Sequence, residues 1–494
     1  MKKLKIKTEG RPGVYTSFGY KSATIADAEN RTPAGGAGIR QQNGYRTRII
    51  DQSRDFMRNN GIYAGMIERA VGYIVGNGFK LQSLTPDVEL NAKLETLWWR
   101  FWRKPEIKNI LSGRKLERQV MAEILVTGDT GAILTSKGLV QHIEAEQITN
   151  KTFADGIETD EYGAPKRFFV SNYGRYGQLE TTKSKSYKPD AFCFIANPDR
   201  PSSIRGVPPC QSAFPMLHRI NDVCNSEAIA WQMLAKYAVA VTRQGGPEQA
   251  YLESASDTSK DTTDGNTAAR ITELDYALIF HGEPGDEVRG IDRNIPGQNF
   301  SESLLMFLRL LGLPLGLPLE IILLDWTKSN YSQSRAVLEQ AYQAFLGWQL
   351  LIEEGFLNRV LEWKVREWVK ARELPANEFT DNIVEVSEWI APSFPWIDVL
   401  KETEAYGAKI DRGFATHSEV CKSLNRDREE VVNGRVQEII DAIEKAKDIE
   451  SQTGVAVDYR TLCGMEPEKV APRPVAAENK NDEGDNEDDE NADR

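Results

Sequence analysis

Apolar residues recur every three or four positions along much of the chain, which is the spacing of one face of an α-helix. The first 45 residues lack this spacing and predict an extended, partly mobile arm. From Asp51 the spacing predicts a helix that ends at Gly76 and Gly78. Further helices are predicted over 90–102, 114–126, 208–241, 300–311 and 333–372, with a helix-rich portion over 401–447.

Between Leu139 and Ala196 the pattern changes to short apolar runs separated by Asp-Gly and Tyr-Gly turns, which is typical of β-strands. A polar stretch rich in Ser, Thr and Asp, Gly245–Thr272, predicts a loop. The chain is therefore expected to be an α+β, mainly helical protein. The expected strands are 132–135, 140–143, 168–170, 192–195 and 278–280, with a short one at Val288.

The charge is unevenly distributed. The 494 residues carry a net charge of −12, and residues 478–494 contain nine acidic and two basic residues, a net of −7, which leaves about −5 for the rest. A tight duplex binder clusters Lys and Arg against the phosphates, and no dense basic cluster is visible here. A DNA partner would therefore be contacted loosely.

Bulk features exclude several classes of protein. The five cysteines include no Cys-x-x-Cys pair and predict reduced thiols. The basic start, Met1–Gly10, has no apolar stretch behind it, so no secretory signal is expected. The most apolar segment, Leu310–Leu324, contains prolines and a glutamate and is too short to span a bilayer.

A search for catalytic chemistry finds no constellation. The four histidines, at 142, 218, 281 and 417, lack metal-ligand or triad spacing, and surface or core roles are favoured over a catalytic base. The pairs Glu353-Glu354 and Glu429-Glu430 are either acid/base pairs or, as favoured, solvated helix faces. The Trp-rich group 98–102 either stacks bases or, as favoured, forms a core edge. No catalytic, cofactor or metal site is predicted, and the chain is not expected to be an enzyme.

One segment is unusual for a core. Residues 308–320 are rich in Leu, Pro and Gly and run directly into the polar stretch 325–334. Apolar Pro/Gly sequence beside a polar loop predicts a mobile element that is anchored at its base.

Several blocks of residues occur in a fixed order over about residues 51–432. They are Arg54–Asn60 with Val75–Gln82, Leu97–Trp102 with Leu125–Asp129, Ile143–Glu146 with Gly156–Glu158, Arg205–Pro208, Leu308-Arg309 with Gly316–Glu320, Asp325, Asn330–Ser332 and Arg335-Ala336, and Pro395–Asp398 with Ile410–Gly413. In their order and spacing these blocks resemble the lambda family of phage portal proteins. The chain departs from the family in a Leu/Pro-rich stretch before Gly316 and is only loosely similar to it over 193–203.

The resemblance implies the portal-protein fold with wing, stem, clip and crown, assembled into a ring. On that template the chain divides as follows: 1–50 flexible basic N-terminal arm, 51–206 wing, 207–241 first stem helix, 242–296 clip, 297–312 second stem helix, 313–332 tunnel loop, 333–372 long channel helix, 373–470 C-terminal wing and crown helices, and 471–494 disordered acidic tail.

The resemblance also implies partners and a site. A homo-oligomeric ring, a dodecamer on the family template, would sit at one capsid vertex of a virion assembled in the bacterial cytoplasm. Double-stranded DNA would pass through non-specifically, while the terminase large subunit, major capsid and scaffold proteins, and a head-tail connector or neck protein would dock; no membrane partner is expected. The tunnel-loop candidates are Lys328, Ser329, Asn330 and Tyr331. A simple helix N-terminal turn is the alternative for these four, and a phage scaffold or adaptor, or a DNA-processing enzyme, the alternative for the chain.

Overall fold

The computed structural model divides the chain into two compact units, of which the first comprises residues up to Ala415 with 422–425 and the second comprises 416–421 with the residues from 426 onward. None of the described helices is both long and apolar enough to cross a bilayer. The structure describes residues 39–153, 155–236, 239–241, 271–274, 277–281, 298–326, 331–392 and 399–464.

Helices dominate the described residues, and the prediction of a mainly helical α+β fold is confirmed. The helices are α1 (Ile39–Asn59), α2 (Gly61–Ile74), α3 (Val88–Trp102), α4 (Gly113–Thr127), α5 (Phe214–Lys236), α6 (Gln298–Gly312), α7 (Leu319–Leu323), α8 (Tyr331–Ile352), α9 (Asn358–Lys370), α10 (Glu378–Asp381), α11 (Val399–Asp411), α12 (His417–Ser423), α13 (Arg428–Thr453) and α14 (Tyr459–Leu462).

Local sequence sets where these helices begin and end. The Asp87 side chain accepts hydrogen bonds from the first amides of α3, and the Asn60 side chain accepts one from Tyr63 N at the start of α2. Gly128 adopts the left-handed conformation, with φ of 90°, and ends α4. The helix expected from Asp51 to Ile74 is thus two helices, because Asn60 is a cap rather than an interior residue.

Eleven strands form four small sheets among the described residues. In sheet order they pair as β1–β11, β3–β2–β7, β4–β5–β6 and β8–β10–β9; β10 runs parallel to β8, and the other pairs are antiparallel. The strands are β1 (Lys80–Ser83), β2 (Asp129–Leu134), β3 (Val140–Ile143), β4 (Ile157–Thr159), β5 (Pro165–Val170), β6 (Lys185–Tyr187), β7 (Phe192–Ala196), β8 (Val239–Val241), β9 (Ile271–Leu274), β10 (Ala277–His281) and β11 (Ser387–Ile390).

Two hydrophobic cores lie in the first unit. The larger core collects the apolar faces of α1–α9, with Tyr63, Phe214, Phe345 and Phe356 fully buried. A smaller core lies between the sheet β3–β2–β7 and the sheet β4–β5–β6, where Phe168 and Phe192 stack with ring centroids 4.7 Å apart. The small core fixes β4–β5–β6 in place, although each of its strands has six residues or fewer.

Two boundary predictions are wrong. Residues 39–50, expected to belong to a flexible arm, form the start of α1, because Ile49 and Ile50 are buried in the first unit. The helix expected over 208–241 begins as a 3₁₀ turn at Pro209–Ala213 and ends at Lys236, because Val239–Val241 pairs as a strand with β10. The predicted strand at Val288 and the acidic tail lie outside the described residues.

The second unit is helical where it is described. Asp427 caps α13, whose Ala442 and Ala446 are buried, while Val431, Val436 and Ile440 are exposed. The helix-rich character predicted for 401–447 is confirmed, and α13 extends beyond it to Thr453.

Candidate functional site

The four tunnel-loop candidates stand at the start of α8. Lys328, Ser329 and Asn330 lie outside the described residues, and Tyr331 is the first residue of the helix. The structure therefore does not test the prediction that these side chains face DNA. It does describe the segment before them and the helix after them.

The Pro/Gly segment before the candidates is a tight, packed turn. After α6 ends at Gly312, a 3₁₀ turn leads through Gly316, with φ of 66°, into α7. Leu317 N donates to Gly312 O at 3.0 Å, and the side chains of Leu315 and Leu317 are buried.

This packing corrects the expectation of a loop over 313–332. A Cβ added at Gly312 would lie 2.0 Å from Leu317 O, and one at Gly316 would lie 2.5 Å from Ala344 Cβ on α8. The apolar residues of the segment thus find partners in the protein core, and the expectation is wrong for residues 313–323. The description stops at Trp326 and resumes at Tyr331.

The helix after the candidates is continuous but not uniform. It runs as α8, a π-helical turn at Glu353–Leu357, and α9, so that residues 331–370 stay helical, as expected for 333–372. Gly355 lies in the π turn and faces Ile195, whose Cγ2 would be 3.0 Å from an added Cβ. Burial, together with the adjacent Glu354, raises the pKa of Glu353 above its ordinary value.

Ionised side chains are scarce on α8. Its 22 residues include one cation and one anion, Arg335 and Glu339, which form an exposed ion pair at 3.0 Å from Nε to Oε1. The helix has no net charge as a result. The apolar residues Leu346 and Leu350 are partly exposed on the same helix.

A buried ionic junction joins two of the sequence blocks, Leu125–Asp129 and Arg205–Pro208. Asp129 is fully buried, and each of its carboxylate oxygens accepts two hydrogen bonds. Oδ1 accepts from Arg46 Nη2 (2.7 Å) and Arg205 Nη2 (2.8 Å), and Oδ2 accepts from Arg205 Nε (2.7 Å) and Gly206 N (2.9 Å). Burial and the nearby Arg205 lower the pKa of Arg46 to about 10.

Two glycines allow this junction to close. A Cβ at Gly206 would lie 1.9 Å from Gly128 O, and a Cβ at Gly128 would lie 2.3 Å from the Val207 backbone. Arg205 uses its remaining donors on the carbonyls of Ala145, Ile148 and Asp155. Gly128-Asp129 and Arg205-Gly206 therefore form one close contact between two segments of the chain.

Two further buried carboxylates connect other blocks. Glu117 accepts from Trp102 Nε1 at 2.7 Å and from Phe79 N at 3.0 Å. Burial raises the pKa of Glu117 to about 7, although both hydrogen bonds oppose the rise. Arg54 on α1 donates to both Glu123 and Glu146, and burial raises the pKa of Glu123 despite this partner.

The histidines show no arrangement for catalysis in the described part of the chain. His142 is largely buried, with Nε2 at 2.9 Å from Thr130 Oγ1, and burial lowers its pKa to about 4. The His218 ring lies against Phe56 in a tilted arrangement, with ring centroids 4.9 Å apart, and His417 is exposed. No group of three His, Cys, Asp or Glu residues suited to a metal ion occurs among the described residues.

The Trp-rich group is mainly a core edge, as favoured from the sequence. Trp98 and Trp102 are buried and stacked, with centroids 4.6 Å apart. Trp99 is exposed, and the Arg103 guanidinium lies 5.0 Å from its ring centroid.

A comparison with protein families identifies one match, and individual proteins and solved structures are also similar to the chain. A family model described as phage portal protein, lambda family, matches residues 27–349. A portal protein of Escherichia phage N15 is 20% identical over 447 residues, covering 78% of this chain and 82% of that protein. Among solved structures, a chain from the virion of a native gene transfer agent particle has a TM-score of 0.45 at 16% identity, covering 76% of this chain and 93% of that one. A chain from the neck of the empty particle has a TM-score of 0.45 at 17% identity, with 76% and 94% covered.

Proposed function

Because the chain belongs to the lambda family of phage portal proteins, we propose that it closes into a ring, a dodecamer on the family template, at one capsid vertex. Double-stranded DNA passes through this ring during packaging and ejection. The terminase large subunit docks first and a neck protein later, while capsid and scaffold proteins hold the ring in the shell. The family match is the observation that carries this proposal.

Exposed apolar side chains support assembly with further copies. Met306, Leu310 and Leu313 recur at i, i+4 and i+7 and are 58%, 40% and 70% exposed. This spacing places the three side chains on one side of the segment, and exposed apolar patches are typical of interfaces between proteins. We propose that this stripe, defined by the three residues, packs against a neighbouring subunit.

The charge of α8 suits a channel wall. Each phosphate that a protein neutralises adds affinity through counterion release, so a wall of unpaired cations would hold the duplex. Since Arg335 and Glu339 compensate each other, α8 presents no net charge to a passing duplex. We propose α8 and α9 as the channel helix, residues 207–241 and 297–312 as the stem, and 242–296 as the clip.

Native mass measurement and negative-stain images of the purified chain test the ring. We expect closed rings of about twelve subunits, and a lone subunit at high concentration would refute the proposal. Introducing a charge into the stripe with Leu310→Glu should shift the population toward monomers. The matched change Val88→Glu, on an exposed apolar residue of α3, should leave the rings intact.

The loop assignment has its own test. Lys328→Ala should leave ring assembly intact and alter DNA packaging or retention, because the proposed loop contacts the duplex. The matched control is Lys93→Ala, which removes the charge of an exposed lysine on α3. If Lys328→Ala particles package and retain DNA like wild type, the four candidate residues do not form the tunnel loop.

A further inference from the structure

One end of the sheet β4–β5–β6 is basic in an acidic protein. Residues 149–153 and 170–188 together contain five basic residues and one acidic residue, a net charge of +4, whereas the whole chain has −12. The tertiary structure joins the two stretches. Lys151 N donates to Thr181 O at 3.3 Å, Ser171 Oγ donates to Thr149 O at 2.6 Å, and Lys185 lies opposite Val170 in the β5–β6 register.

We call four exposed cations at this end the basic rim: Lys151, Arg175, Lys183 and Lys185. Lys183 pairs with Glu180 at 3.1 Å from Nζ to Oε2, and its side chain is 78% exposed. The other three form no ion pair with any residue that the structure describes. The rim therefore carries cationic charge that the fold itself does not neutralise.

Two acidic residues that neighbour the loop 171–180 have other partners. The hydroxyl of Tyr173 donates to Glu144, and Glu146 accepts from Arg54 Nε at 2.9 Å. Asn172, which precedes Tyr173, accepts at its backbone carbonyl from Glu180 N at 2.9 Å, so the loop is closed at its base. Among the described residues, neither Glu144 nor Glu146 forms an ion pair with a cation of the basic rim.

An exposed tyrosine lies beside a rim cation at the tip of the loop 171–180. Gly174 N donates to Gln178 O at 2.8 Å and closes the turn, in which Gly177 has a φ of 79°. Tyr176 at this tip is 85% exposed, next to Arg175. In complexes with duplex DNA, phosphate oxygens accept hydrogen bonds from Lys and Arg side chains and from tyrosine hydroxyls, so Tyr176 and Arg175 suit a contact with the backbone.

We propose that the basic rim binds the sugar-phosphate backbone of DNA without sequence preference. This inference rests on the proposed function only in identifying DNA as the polyanion that the protein handles. DNA is favoured over an acidic polypeptide because cations spaced along two chain segments can each contact a separate phosphate of a regular backbone. Binding of an acidic polypeptide instead is one outcome of the test below. The cations of the basic rim would hold DNA in place, whereas α8, the proposed channel wall without net charge, would let it slide.

The salt dependence of binding gives the expected magnitude. Each neutralised phosphate contributes a slope of about −0.9 to the logarithm of the binding constant against the logarithm of salt concentration. Four rim contacts thus contribute a slope of about −3.6, or roughly a 100-fold loss of affinity between 50 and 200 mM salt.

Fluorescence anisotropy of the full chain with labelled 30-base-pair duplexes of two unrelated sequences tests the proposal. The rim variant replaces all four cations with glutamine. The control variant replaces Lys93, Arg100, Lys104 and Lys115, which are also exposed, and so has the same net charge. We expect the rim variant to lose most of its affinity at 50 mM salt and about 3 to 4 units of slope, and the control to stay within about 3-fold of wild type.

Three outcomes decide the matter. Equal losses in both variants, or none in the rim variant, would overturn the proposal. A rim variant that binds DNA normally but no longer binds polyglutamate would identify an acidic protein as the partner instead. If the fourfold variant unfolds at a lower temperature than wild type, the double variant Lys151→Gln/Lys185→Gln is used in its place. It should show about half the change in the salt dependence of the binding constant. Native mass of each variant reports ring assembly separately, so a failure of the rim is distinguishable from a failure of the ring.

Discussion

Replacing Asp129 with asparagine keeps the shape of a fully buried side chain and removes its charge. Each carboxylate oxygen accepts two hydrogen bonds, so either orientation of the new amide turns its NH₂ group toward two donors. In one orientation these donors belong to Arg46 and Arg205, and in the other to Arg205 and Gly206. The buried guanidinium groups of Arg46 and Arg205 would also lose the carboxylate that both of them contact.

The expected loss follows from the burial. Removing one partner of a buried ion pair costs about 3–5 kcal/mol, because the remaining charge is left without compensation. We expect Asp129→Asn to lose this amount in the free energy of unfolding. The control Glu339→Gln removes the exposed pair with Arg335, and such pairs contribute at most about 0.5 kcal/mol.

Urea denaturation followed by tryptophan fluorescence is a suitable assay. All ten tryptophans precede residue 416, so the signal reports the first unit, which contains Asp129. Adding Arg46→Met to Asp129→Asn should recover part of the loss, since it removes one of the two uncompensated cations. A loss below about 1 kcal/mol for Asp129→Asn would refute the view that this carboxylate anchors α1 and the 205–206 segment.

Three further predictions follow from the buried contacts. Gly206→Ala should prevent folding or lose several kcal/mol in urea denaturation, because its Cβ would meet Gly128 O, whereas Gly72→Ala on open α2 should gain about 0.5–1 kcal/mol. Glu117→Gln should remove a pH dependence of the free energy of unfolding. Because the pKa of Glu117 is about 7 in the folded state and 4.5 in the unfolded state, wild type should gain up to about 3 kcal/mol of stability over the variant as pH falls from 8 to 4. A stability difference that stays constant with pH would contradict this. Lys364→Met should lower the free energy of unfolding by about 1–3 kcal/mol in thermal denaturation, because Lys364 Nζ lies 4.8 Å from the Phe101 ring centroid and donates to Gly138 O at 2.9 Å. An unchanged melting temperature would show that these contacts do not stabilise the fold.

Most secondary structure was predictable because burial repeats with the period of the element. Helices α3, α4 and α6 lie within two residues of their predicted bounds, and β3, β5, β7 and β10 contain the predicted strands. The start of α1 was missed because 39–48 is polar in sequence and contributes few apolar positions. The Leu/Pro/Gly segment was misread because composition alone does not distinguish a mobile loop from a tight turn whose leucines are buried against α8.

For the candidate site, too, the sequence predicts the blocks of residues but not the contacts between them. The family blocks could be read in order from the chain, but their contacts could not: Arg46 and Asp129 are 83 residues apart, and Arg54 and Glu146 are 92 apart. The basic rim escaped the search for a dense cluster because its cations are spaced along two stretches that only the β5–β6 pairing and the Lys151–Thr181 contact bring together.

The positions of most helices and strands, and the family of the chain, follow from local periodicity and ordered motifs, which are properties of neighbouring residues. Which charges are compensated and which face solvent depends instead on how distant segments pack together. Electrostatic and hydrogen-bond energies depend on distances of a few ångströms between side chains, and those distances are set by packing rather than by separation along the chain.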